Sequence, residues 1–88
     1  MTIGSAIIIL DSAFAKHAKV DIDMLSAAIN KLQTTKDWEL LSELQRKAFK
    51  IIPEMLRDAL RWGVDDAYGY ASDLLETLKN DLHNCGLI

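Results

Sequence analysis

Between residues 64 and 82 the apolar side chains Val64, Tyr68, Ala71, Leu75, Leu78 and Leu82 recur at alternating steps of four and three. An α-helix turns this spacing into one continuous stripe, because its side chains return to the same side about every 3.6 residues. The seam is coiled-coil-like. It covers less than three heptads, which suits packing inside a bundle better than an extended coil. The helix is expected to start near Asp65 or Asp66 and to end between Asn84 and Gly86, a good left-handed C-terminal cap. A chain holding such a stripe must cover it, and the rest of the sequence offers more helices.

Residues 36–62 place Trp38, Leu41, Leu44, Ala48, Ile52, Met55, Ala59 and Trp62 at helical spacing. One straight helix of that length would reach about 40 Å, long for so short a chain. Pro53 lacks a backbone donor and clashes with the preceding turn. A kink is expected there, or a break with Pro53 in the first turn of a new segment. Gly63 fits the C-terminal cap. Trp38 and Trp62 are expected to anchor the ends of the core, whereas an exposed Trp62 beside basic groups would point to an interface.

A second helix runs from a cap at Asp21 or Asp23 to about Gln33, with Ile22, Leu25, Ile29 and Leu32 along one side. Thr34 and Thr35 end it and offer a cap for the next stretch, with Asp37 and Glu39 near the positive end of its dipole. The first helix covers residues 3–18 with Ile3, Ile7, Leu10, Phe14 and Ala18 in phase and Thr2 as N-cap. Its run from Ala6 to Leu10 is apolar all round, so the helix is either central or half-covered by another chain. Three consecutive isoleucines also suit a short strand. Helix is the expectation, because Ala13, Phe14, Ala15 and Ala18 continue the helical spacing.

Composition agrees. Ten Ala and thirteen Leu favour helix, and four Gly with one Pro are too few to punctuate a many-turned β fold. The expected fold is all-α: a compact single-domain bundle over residues 1–88, of four helices, or five if the third is broken at Pro53 rather than kinked.

A net charge of −3 and a pI near 5.2 argue against nucleic-acid binding by bulk electrostatics. The acidity is local: Asp65, Asp66, Asp73, Glu76 and Asp81 face only Lys79 in the last quarter of the chain. One cysteine, Cys85, excludes an intramolecular disulfide and gives no reason to infer an oxidising compartment. The apolar run at residues 6–10 has no Lys or Arg before it and is closed by Asp11, short of a membrane span or a signal peptide. A cytoplasmic address and no membrane partner are expected.

Catalytic and metal chemistry find little support. The histidines are His17 and His83, and the only thiol is Cys85. His83 and Cys85 are two apart, a spacing that points side chains to different sides of a helix. No structural-zinc spacing, calcium loop or Gly-rich phosphate loop occurs, and Asp65-Asp66 reads as helix capping. The chain is expected to be no enzyme, with no cofactor and no metal.

Two surface constellations remain. Arg46, Lys50, Arg57 and Arg61 would fall within about 60° on an unbroken third helix. Glu39, Glu43 and Glu54 share that side, which makes it a solvated face of mixed charge. On the last helix, Asp66, Tyr70, Asp73 and Glu76 flank Gly69, and Tyr70 points away from the seam. An exposed Tyr among acids suits a basic protein partner, because Tyr is enriched at interface hot spots and acids steer association. Gly69 costs about 1 kcal/mol against Ala inside a helix, which hints at close approach by a helix or a partner. The functional expectation is a small protein-binding module, an inhibitor, immunity-type or regulatory protein, docking on a basic partner through Asp66, Tyr70, Asp73 and Glu76. The alternative is a homo-oligomer, such as a homodimer, formed through Ile7, Ile8 and Ile9. A nucleic-acid-binding regulator ranks third, because the turn at Gly63 leads into an acidic helix.

Overall fold

The computed structural model describes residues 1–16, 22–63 and 65–88, with the side chains of all of these except Lys16 and Asp65. Among them lie five helices and no strand: α1 (Ile3–Lys16), α2 (Ile22–Gln33), α3 (Lys36–Glu39), α4 (Glu43–Trp62) and α5 (Asp65–Asn84). The fold is an all-α bundle, and the isoleucine run is helical. Ala18 as the end of the first helix, Asp21 as a cap and Val64 as the start of the last seam lie outside the described residues. None of the described helices is long and apolar enough to cross a membrane.

The fifth helix does not arise where the proline suggested. The stretch read as one helix is interrupted at residues 40–42, and α4 then runs unbroken through a buried Pro53. The cause of the interruption is a capping box. Ser42 is extended (φ −68°, ψ 164°) and its hydroxyl accepts from the Gln45 amide at 3.2 Å. The Gln45 side chain returns the bond, its Oε1 accepting from the Ser42 amide at 2.8 Å. Arg46 closes the gap from the other side: its Nε donates to the Trp38 carbonyl at 3.0 Å and its Nη2 to that of Glu39 at 3.3 Å. Both carbonyls lie at the end of α3, and that of Trp38 also accepts from the Leu41 amide at 3.3 Å. A break at Pro53 is therefore corrected to a break before Glu43. The long apolar face of α4 outweighs the single hydrogen bond that a proline cannot donate.

This start sets which way α4 faces. Gln45, Ala48, Phe49, Ile52, Pro53, Leu56 and Ala59 are buried. Leu44 and Trp62, placed in the core stripe by spacing alone, instead stand outside at 78% and 68% exposure. Both lie on α4 itself, about 100° round from the centre of its buried face, so a stripe drawn through them runs along the edge of the core rather than its middle.

The core is completed by Ile3, Ala6, Ile7, Leu10 and Ala13 of α1, Leu25, Ile29 and Leu32 of α2, Leu41, and Leu75, Leu78 and Leu82 of α5. Ala71 is buried as well, so the described part of the α5 seam faces inward as its spacing requires. The contact between α4 and α5 is the most extensive in the bundle. Toward the start of α5 the Tyr68 hydroxyl donates to the Phe14 carbonyl at 2.6 Å, and the two rings pack at 5.3 Å. The start of α1 is held twice. Thr2 Oγ1 accepts from the Ser5 amide at 3.1 Å, as its N-cap role requires, and Asp37 Oδ2 of α3 accepts from the Ile3 amide at 3.2 Å. The α5 end is a Schellman turn: Gly86, at φ 75°, donates to His83, and Leu87 donates to the Leu82 carbonyl at 2.9 Å.

Candidate functional site

The inner face of α5 is anchored by Leu75, Leu78 and Leu82, so its opposite face is held rigidly toward solvent. Asp66, Tyr70 and Asp73 fall within about 60° on that outer side, with Glu76 roughly another 60° round. Tyr70 is 68% exposed, and Asp66 and Asp73 are exposed too. Neither acid enters an ion pair with a described residue. The sequence-derived set thus comes together in three of its four members.

Glu76 behaves differently. Its Oε1 lies 3.6 Å from Lys79 Nζ, and Lys79 donates to Asp11 Oδ1 of α1 at 3.2 Å. The hydrogen bond to Asp11, backed by the negative charges of Asp11 and Glu76, raises the Lys79 pKa above its ordinary value, while partial desolvation opposes the shift. Glu76 therefore belongs partly to a bridge between α5 and α1. Asp81 is also committed, accepting from Gln45 Nε2 at 2.8 Å. The acidity of α5 divides into acids that fasten the bundle and acids that face outward. At Gly69 a Cβ would meet nothing within 4 Å, so no part of the described chain explains the glycine by close approach.

The three isoleucines proposed for self-association are split by the helix. Ile7 is in the core and Ile9 packs half-buried against it, leaving only Ile8 outside at 67% exposure. Ile7 is thus unavailable to another chain, because helices on either side cover α1.

The basic stripe is engaged locally. Arg46 caps α3, Lys50 Nζ lies 5.8 Å from the Trp38 ring, and Arg61 stacks 5.4 Å from the Trp62 ring. Arg57 reaches Asp23 at 3.6 Å and Ser26 Oγ at 3.5 Å. A groove of 390 Å³ lies between α2 and α4, bordered by Asn30, Gln33, Lys50, Glu54 and Arg57.

His17 and the Asp65 carboxylate lie outside what the structure describes. His83 is exposed in the last turn of α5, and Cys85 Sγ is 3.9 Å from Gln45 Nε2. Among the described residues no group of three or more His, Cys, Asp or Glu is placed to hold a metal ion.

Spacing missed an outward apolar stripe on α4, made by Leu44, Ile51 and Trp62 with half-buried Met55. The signal that could have found it is Ser42-x-x-Gln45, which fixes the helix start and hence its phase. No family model matches the chain, and neither a curated protein nor a solved structure matches it.

Proposed function

We propose that this chain is a small non-enzymatic protein-binding module, of the inhibitor, immunity or regulatory kind, that docks on a basic surface of its partner through α5. One observation carries the reading. Tyr70 is exposed between Asp66 and Asp73, two acids with no ion pair among the described residues, on a helix whose other face is locked into the core. Unpaired acids attract and orient a basic partner, and an exposed Tyr on a stiff helix offers a large contact area with few rotors to freeze. Glu76 joins the site at its edge, its charge shared with Lys79.

The test is capture from host lysate by the tagged protein and by its Tyr70→Ala/Asp73→Ala variant, each washed at low and at high salt. Both substituted side chains are exposed, so the melting curve should change little. A basic protein held by the parent, released by salt and absent from the variant is the expected result. Equal capture by parent and variant would remove the site. Gly69→Ala adds a discriminating arm. With open space around its Cβ, it should stabilise the helix by about 1 kcal/mol, and weakened capture by this more stable variant would place the partner against α5 at that point.

A further inference from the structure

The outer side of α4 carries a second helical pattern, distinct from the one that fills the core. Leu44, Ala48, Ile51, Met55, Asp58 and Trp62 follow steps of four, three, four, three and four. Ala48 is covered within the chain, and Leu44, Ile51 and Trp62 are exposed, with Met55 half-buried between them. At about 100° per residue, Leu44, Ile51, Met55 and Trp62 fall within roughly 40° of one another. The steps read the same from either end. That is what a helix needs in order to meet a copy of itself running the opposite way.

The charges beside the stripe carry the same symmetry. Along one flank run Glu43, Lys47, Lys50, Glu54, Asp58 and Arg61, in the order minus, plus, plus, minus, minus, plus, with Arg46 and Arg57 farther round from the stripe and engaged within the chain by α3 and α2. Read backwards, every sign is reversed. None of the six makes an ion pair with a described residue; Lys50 and Arg61 lie over tryptophan rings instead. In an antiparallel pairing centred near Pro53, Glu43 stands across from Arg61, Lys47 from Asp58 and Lys50 from Glu54. Two-fold symmetry makes each pairing twice.

We propose that a second copy of this chain docks on this face, α4 against α4 and antiparallel. Leu44 and Trp62 of each copy meet at the two ends, and Ile51 and Met55 meet about the axis. The charged flank sets direction and register: the flanks of the two copies lie on the same side of the interface only when the helices run antiparallel. This goes beyond the docking reading of α5 and does not depend on it, because Asp66, Tyr70 and Asp73 are not members of the stripe.

The experiment is light scattering over a wide concentration range on the parent, Trp62→Ala, Lys47→Glu, Asp58→Lys and the double Lys47→Glu/Asp58→Lys. All the substituted side chains are exposed, and circular dichroism checks that each variant folds. The parent is expected to pass from monomer to dimer as concentration rises. Trp62→Ala and each single charge reversal should weaken dimerisation about tenfold or more, and the double reversal should recover most of the loss, as symmetric charge pairing demands. A parent that stays monomeric at every concentration overturns the proposal. So does a dimer indifferent to Trp62→Ala, or one that the double reversal fails to rescue. The Tyr70→Ala/Asp73→Ala variant should dimerise like the parent, so failure of one reading is distinguishable from failure of the other.

Discussion

The helices α1 and α4 exchange the roles that their sequences suggest. The first reads as apolar on every side, yet the bundle covers nearly all of it and leaves only Ile8 of its isoleucine run well outside. The second reads as a conventional core helix, yet it turns Leu44, Ile51 and Trp62 to solvent while Phe49, Ile52 and Leu56 fill the interior. Hydrophobicity alone thus does not decide burial in a bundle this small. What decides is which side of a helix its neighbours cover and where the helix begins. α1 packs against α2 and α5, and α4 against α5 and α2, but among the described residues none covers the side of α4 that carries Leu44, Ile51 and Trp62.

Substitutions on the two helices test this contrast. The largest effects belong to the inward faces. Leu10→Ala on α1 and Leu56→Ala on α4 each empty a fully buried site, and each should cost about 2–5 kcal/mol, read by urea unfolding. A domain of this size holds a margin of order 5 kcal/mol, so either variant should be close to unfolding at ambient temperature. A mild effect at Leu10 with a severe one at Leu56 would mean that α1 is less enclosed than described.

Next comes the device that sets the phase of α4. Gln45 accepts from Ser42 and donates to Asp81 from a buried position. Gln45→Leu keeps the volume but leaves the Ser42 amide and the Asp81 carboxylate without these bonds, at a cost of about 1–3 kcal/mol. A stability unchanged in thermal melting would show that the capping box does not hold the start of α4.

The smallest effect is the tie that fastens α1 to α5. Lys79→Met removes the bond to Asp11, a partly exposed pair worth about 0.5 kcal/mol at neutral pH. Because the Lys79 pKa is raised in the folded chain, chiefly by its hydrogen bond to Asp11, the contribution is fully present below the ordinary lysine pKa. It fades as pH climbs through the raised value, so parent and variant melting curves should converge in strong alkali. A gap that widens with alkalinity would reverse the sign of this linkage.

The helical class, the seam from Tyr68 to Leu82, the Thr2 cap and the exposure of Tyr70 were all legible in spacing and cap chemistry. Local rules govern each of them. The phase of α4 was less so, because Pro53 drew the break to itself. A proline within a long amphipathic face can be carried by packing, whereas a Ser and a Gln three residues apart made the actual boundary. The division among the acids of α5 could not be read from spacing, since Asp81 and Glu76 are committed by Gln45 and Lys79, residues brought to them by the fold. For the same reason the fate of Ile7, Ile8 and Ile9 had to wait for the neighbours of α1.

The most direct test of this account is the neighbouring pair Ile51 and Ile52, compared by urea unfolding at a dilution that keeps the chain monomeric. They are the same residue type on the same helix, at 41% and 0% exposure. Ile52→Ala should lose about 2–4 kcal/mol and Ile51→Ala about 1 kcal/mol or less. Equal losses, or a larger loss at Ile51, would contradict the phase of α4 on which the bundle and its outer stripe both depend.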